Sequence, residues 1–500
     1  MIYNISRRED PSNCRGTYGI LPFGTFFLYL SDFIMKDLTE GSIGRNILRF
    51  AMPMLVGNMF QQLYTFVDQI IVGRFLGTEA LASVGASFPV IFTLIALIIG
   101  IATGGTIVIS QFFGAKDFTQ VKRAIDTIFI VMGIFAVIMT VIGISFAEQI
   151  FRLINLPEEL MPLAKNYFTI YVSGLVVFFG YNGIAAILRG MGDSTTPLYF
   201  LILATLLNIG LDLLFIVKLG LGIEGAALAT IIAQGIAFIV AVFYLNRNHE
   251  LIRFNIKEFS FDWNIFKQSL RIGLPTGLQQ AFVALGMMAL MRIVNGFGTS
   301  VVAGYTAAGR LDSLAVIPSM VFSQALATFV GQNIGAGKIE RVRRGLTRTL
   351  LMSSTVAVVV TILIIIFKYP LMSLFTKDEE VIQIGGNYLT VVTSFYLLFT
   401  GMFAFGGVMR GAGDTLIPMF LTLFSLWVIR IPAAVFLSQE TIHLFGLSIH
   451  GAGMGAQGIW WSIPTGWGIG LLLSLIYYQT GRWKTKTVVK AKLEPATITR

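Results

Sequence analysis

The sequence predicts an all-α integral membrane protein of twelve transmembrane helices in two homologous six-helix bundles. Three observations predict it. The composition is too apolar for a soluble globule: 55% of the 500 residues are hydrophobic and 12% charged, against about 25% charged in soluble domains, and the mean hydropathy is +0.78. The apolar residues come in blocks. Ile91 to Ile109 carries no charge, and some 20 helical residues at about 1.5 Å each cross a hydrocarbon core of about 30 Å. The third observation is a repeat. Gln111-x-x-Gly114-Ala115 returns as Gln332-x-x-Gly335-Ala336, Arg189-Gly190-x-Gly192-Asp193-x-x-x-Pro197 as Arg410-Gly411-x-Gly413-Asp414-x-x-x-Pro418, and Gly77-Thr78 as Gly298-Thr299, all at an offset of 221 positions.

Along the chain, residues 1–34 are polar, then briefly apolar from Phe23 to Leu30, too short to span. Arg7, Arg8 and that run admit a signal peptide or a surface-lying segment. The stronger reading is a disordered or artefactual extension (1–40), because MKDLTEGSIGRNILRF from Met35 looks like a natural start. An N-lobe (41–250) follows, with helices predicted at 46–73, 88–113, 122–147, 163–188, 197–217 and 224–245. A charged linker (251–266) leads to a C-lobe (267–482) with helices at 267–295, 308–333, 346–370, 384–409, 418–437 and 457–480, and a basic tail (483–500) closes the chain.

An even number of spans per repeat makes the halves parallel, related by a pseudo-two-fold along the membrane normal. Such a pair places a cavity between two bundles, open to one side at a time. Basic loops set the orientation: Lys116/Lys122/Arg123, Arg247/Arg253/Lys257, Lys338/Arg341/Arg343/Arg344 and the tail all fall on one side. Both termini are therefore expected in the cytoplasm.

The same features exclude other classes. The net charge of +10 belongs to those short loops, so no nucleic-acid partner is expected. Cys14 is the single cysteine, and His249, His443 and His450 lack ligand spacing, so neither a disulfide framework nor a metal site is read. No His-Glu-x-x-His or similar set suggests an intramembrane enzyme. Gly453-x-Gly455-x-x-Gly458 fits the dinucleotide pattern in letters but has no strand before it, and reads as a tight turn with close helix packing.

Polar residues inside the spans carry the chemistry. A charge at mid-bilayer costs at least about 2.5–3.5 kcal/mol, so it needs a reason. Asp68 lies in the first helix and Asp212 in the fifth, with Asn208 one turn before Asp212 on the same face. Asn182 and Thr230 add oxygens from the fourth and sixth helices. Carboxyls in a dry pocket can take up a proton near neutral pH, or, with amide and hydroxyl oxygens, hold a sodium ion. The 221 offset puts Ala433 opposite Asp212, so coupling is expected in the N-lobe alone. Arg292, Arg310, Asp312 and Arg430 read as snorkelling ends or as a pair. Pro53 and Pro275 stand at nearly equivalent places and either kink or merely start their helices.

The stretches FVDQIIVGRFLGTEALASVG, ILRGMGDSTTPLY, NIGLDLLFIVKLGLGIEGAALAT, MRGAGDTLIP and GAQGIWWSIP resemble the multidrug and toxic compound extrusion (MATE) transporters over about residues 40–482. The resemblance implies a bacterial inner-membrane antiporter, without cofactor, that exports organic, mostly cationic compounds against H+ or Na+. Asp68 then matches the coupling acid, and Asn208, Asp212 and Thr230 match the ion-site residues of one branch. The acids that another branch carries in its seventh and tenth helices are missing here. For the substrate cavity the expected residues are Gln61, Gln279, Gln280 and Met287 among adaptable Met and Phe walls. Pro53, Arg189, Gly192, Asp193, Arg410, Gly413 and Asp414 are expected to serve conformational change. A monomer in lipid is expected. The competing reading is a flippase for lipid-linked oligosaccharide or lipid, which calls for a strongly basic central cavity.

Overall fold

The computed structural model describes residues 36–154, 156–249, 251–444 and 447–489. The expectations for the extension before Lys36, for Cys14 and for the end of the tail lie outside these residues. The described chain is helical almost throughout. It begins with α1 (Ile43–Gly114), α2 (Phe118–Leu153), α3 (Met161–Ser173), α4 (Leu175–Gly190), α5 (Thr195–Asp212) with a π turn (Leu213–Lys218), and α6 (Gly222–Asn248). The second half runs through α7 (Trp263–Asn295), α8 (Thr299–Ala315), α9 (Ile317–Gly335), α10 (Ile339–Ser373), α11 (Glu379–Ser394) and α12 (Tyr396–Gly411). It ends with α13 (Leu416–Leu423), a π turn (Phe424–Arg430), α14 (Ile431–Ser438), a β1–β2 hairpin (Thr441–Leu444, Leu447–His450) and α15 (Ala456–Gln479).

Nine of these helical stretches are long and apolar enough to cross a membrane, and the bent pairs α3–α4 and α11–α12 bring the number to eleven among the described residues. The first arm of α1, diluted by Asn58, Gln61, Gln62, Thr65, Asp68 and Gln69, completes twelve spans. Residues 74–87, expected as a loop, are helical apart from Gly77, whose φ of 85° breaks the ladder. Glu40 before the first arm and Lys116 after the second lie 4.0 Å apart, so the arms run antiparallel. A left-handed backbone suits glycine here because it lacks a Cβ.

The repeat reaches into the backbone. Gly298, equivalent to Gly77, has φ 94°, and Gly192 and Gly413 of the RGxGD turns have φ 88° and 90°. The break in the fourth span at Gly174 has its counterpart at Phe395, and the two bends are 49° and 48°. Pro53 and Pro275 both lie inside their helices rather than in the first turn. The hairpin, in which Thr441 faces His450, stands where a loop was expected. The glycine loop after it donates from Gly451, Ala452, Gly453, Met454 and Gly455 N–H to the carbonyls ending α14 and just beyond it. That caps the helix, whose last carbonyls have no partner within it.

Where the two lobes meet, small residues let backbones touch. Gly100 and Gly104 of α1 pack on Gly273 and Gly277 of α7, where any added Cβ would strike main chain. Gly114 and Gly335 stand against the carbonyls of Gln332 and Gln111 in the same way. These contacts lie toward the face that carries both described ends. Leu38 and Trp483, each 1% exposed, are buried there with Phe50 and Phe329; burying one such side chain contributes about 1.5–3 kcal/mol.

Candidate functional site

In the N-lobe, the first arm of α1 carries Asp68 against the end of α5, where Asp212 is fully buried and Asn208 3% exposed. Asp68 and Asp212 are electrostatic neighbours. Asn208 Nδ2 donates to Thr230 Oγ1 (3.3 Å), which donates to the Ala226 carbonyl (3.1 Å). Asp68 Oδ1, Asn208 Oδ1 and both Asp212 carboxyl oxygens remain buried with no protein donor. Acceptors left in that condition are costly unless a proton or cation meets them. An all-oxygen donor set is the kind that suits a hard cation such as sodium.

Of the five residues expected at this site, four converge: Asp68, Asn208, Asp212 and Thr230. Asn182 instead donates to the Phe178 carbonyl of its own helix (2.8 Å) and lines the central cavity. Tyr64, which sequence reading passed over, lies 3.4 Å from Thr230 Oγ1; its spacing of one turn from Asp68 was the available signal.

A cavity of about 930 Å³ lies between the lobes. Gln61, Gln279, Gln280 and Met287 all line it, as do Pro53, Arg189 and Arg410. Gln279 Nε2 donates to Thr422 Oγ1 (2.8 Å) and Arg410 Nη2 to Ser323 Oγ (2.7 Å). The charges of the wall are Arg189, Arg310, Arg410 and Arg430, with Asp312 the one carboxylate among the described lining residues. Asp68 and Asp212 sit behind the wall rather than in it.

Of the two readings of the C-half charges, as snorkelling ends or as a pair, Asp312 and Arg430 do not fit the first: both line the cavity, and they are electrostatic neighbours without a salt bridge among the described residues. Asp312 Oδ1 accepts from Tyr396 (2.6 Å) and Oδ2 from Tyr388 (3.3 Å). Arg430 is 9% exposed, and a snorkelling side chain would reach water. Arg292 does stand in the last turn of its helix, α7.

The repeated motifs close one face. Gln111 Nε2 donates to the Gly411 carbonyl (3.0 Å), and Gln332 Nε2 to the Gly190 carbonyl (3.1 Å). Each glutamine thereby reads the RGxGD turn of the other lobe. Their side-chain oxygens accept from opposite ends of the chain, Gln111 from Val488 N (2.7 Å) and Gln332 from Leu38 N (2.9 Å). Arg341 ties the carbonyls of Leu38, Glu40 and Gly41 to α10. Within the turns, Asp193 Oδ1 accepts from Thr195 and Thr196 N–H to start α5, and Asp414 accepts from Tyr477 (2.6 Å).

The MatE family model matches residues 53–214 and 275–436, once in each lobe. The probable multidrug resistance protein YpnP of Bacillus subtilis is 32% identical over 456 residues, covering 91% of this chain and 99% of that protein. An FAD transporter of Shewanella oneidensis is 28% identical over 72% of this chain and 81% of its own length. A solved structure of a multidrug resistance MATE transporter in an outward-facing conformation superposes with a TM-score of 0.81, at 26% identity over 90% of this chain and 98% of that one. Two lobes that each match the family model, twelve spans and a large cavity between them agree with these likenesses: the chain belongs to the MATE family of membrane multidrug efflux transporters.

Proposed function

We propose that the protein is a secondary antiporter in which H+ or Na+ binds at Asp68, Asp212, Asn208 and Thr230 and drives export of small organic compounds through the central cavity. The observation that carries this is the set of four buried oxygens with no protein donor, gathered in one lobe beside the cavity. Placing the basic loops in the cytoplasm of a bacterial cell puts the glutamine-closed face inside, so the cavity is that of an outward-facing state. Cation binding stabilises one arrangement of α1 and α5, and cargo binding favours another. Exchange follows because each ligand binds one state better.

Cationic cargo was expected from the resemblance and from the acids at membrane depth in the N-lobe. Those acids lie behind the wall, while four arginines and one aspartate line it. The basic wall favours a second reading, a carrier or flippase of anionic compounds, and one relative bears the name of an FAD transporter. The coupling site serves either reading.

Proteoliposomes with imposed proton or sodium gradients, loaded with ethidium or with fluorescein, test the proposal. Gradient-driven movement of either dye, falling by roughly a hundredfold in Asp68→Asn, is the expected result. Dye movement that ignores both gradients, or survives unchanged in the variant, contradicts it.

A further inference from the structure

Arg430 is a charge the coupling site does not use. It ends the π turn Phe424–Arg430, and π turns inside α-helices are frequent at functional sites. The residue is 9% exposed and lines the cavity, yet its Nε is buried without a partner. Gly466 of α15 makes room for it, since a Cβ there would come 3.0 Å from Arg430 Cβ.

Its electrostatic neighbours are Asp312, Tyr305 and Tyr388. Asp312 gives its two oxygens to Tyr396 and Tyr388, and no ion pair joins it to Arg430 among the described residues. Arg310, two positions before Asp312, is exposed in the same wall. A guanidinium held at membrane depth with its Nε unpaired is expensive, and its planar fork of N–H donors matches the oxygens of a carboxylate or phosphate. Flat surfaces stand beside it: Tyr305, Phe399 and Trp467 line the cavity, the last two with ring centroids 5.1 Å apart.

We propose that Arg430, assisted by Arg310, is the anion subsite of the cavity, taking the carboxylate or phosphate of an amphipathic organic anion whose ring lies against Tyr305, Phe399 and Trp467. The inference rests on the transport reading and names its cargo class. The anion reaches the guanidinium as a soluble compound or as a lipid headgroup, the same chemistry from two sources.

The test is equilibrium binding to the full chain in nanodiscs, read by flavin fluorescence. Riboflavin and riboflavin 5′-phosphate share a ring and differ by the anion. Wild type is expected to bind the phosphate form about tenfold more tightly, as one charge-assisted hydrogen bond allows. In Arg430→Gln that ratio falls to about one, in Arg430→Lys it is partly kept, and in the exposed Arg310→Gln it is reduced; riboflavin itself reports an intact cavity. Equal affinities in wild type, or a ratio unchanged in both glutamine variants, overturns the subsite. Comparing phosphatidylglycerol with phosphatidylcholine nanodiscs separates the sources. Competition by the anionic lipid that vanishes in Arg430→Gln assigns the headgroup; absence of competition assigns the soluble anion. No gradient enters the measurement, so a failure of antiport leaves this result standing and a failure here leaves antiport standing.

Discussion

At the end of α5 the N-lobe carries Asp212; 221 positions on, the C-lobe has Ala433, and the charge three residues before it is Arg430. Elsewhere the lobes repeat one frame, with paired bends of 49° and 48° and paired glycines with positive φ, but here the π turn follows Asp212 in the N-lobe and ends at Arg430 in the C-lobe. What is buried differs. The N-lobe gathers two carboxyls with no protein donor, whereas the carboxyl of the C-lobe is held by two tyrosines and its arginine faces the cavity. Duplication supplied the frame, and a handful of side chains divide the lobes: on the proposed reading one takes a small cation and the other presents donors to cargo.

The largest expected effect comes from removing the N-lobe acids. Asp212→Ala should abolish gradient-driven export, a loss of roughly a hundredfold or more, while Asp312→Asn should leave coupled transport within a few fold, because an amide oxygen still accepts from Tyr396. Transport rates of the two variants in the same proteoliposomes make the comparison, and equal losses would erase the distinction between lobes. Next is the shared glutamine clasp, where the lobes should behave alike. Gly114→Val and Gly335→Val each drive a side chain into the opposite glutamine carbonyl. Overpacking of this kind costs on the order of 1–3 kcal/mol, enough to shift the two-state ratio by roughly tenfold. Spin-label distances across the Leu38–Trp483 face should lengthen in both variants; lengthening in one alone would show the clasp to be asymmetric.

A smaller effect is expected at Asn208→Ala, which removes one neutral ligand and the bond to Thr230. Half-saturation for the coupling ion should rise by about three- to tenfold with the maximal rate retained. The least effect belongs to Lys165→Met, which breaks the exposed bridge to Glu148 (3.0 Å). Exposed pairs are worth little, so melting temperature and transport should stay within error.

Much of this was legible in the letters. The twelve spans follow from apolar blocks, and the register of 221 was visible as repeated motifs, though the paired breaks at Gly174 and Phe395 were not. Asp68, Asp212, Asn208 and Thr230 could be read because a buried carboxylate is too costly to be accidental, and helical spacing says which neighbours share its face. Direction within a helix was harder. Asn182 has the depth for the ion site but turns back to Phe178. Asp312 and Arg430 were placed at membrane depth, yet depth alone does not tell a cavity wall from a snorkelling end. The glutamines were visible as repeats, but nothing local said that each would read a turn 300 or 142 positions away. Contacts that close only when two lobes meet leave no mark on either stretch.

The central claim, that one lobe alone binds the coupling ion, is tested most directly by counting ions. Calorimetric titration of the purified protein with sodium, and proton uptake counted as the difference from a variant lacking both N-lobe acids, should give one site in wild type and in Asp312→Asn. The sodium titration should give none in an Asp68→Asn, Asp212→Asn double variant. A site that persists in the double variant, or disappears in Asp312→Asn, would contradict the account.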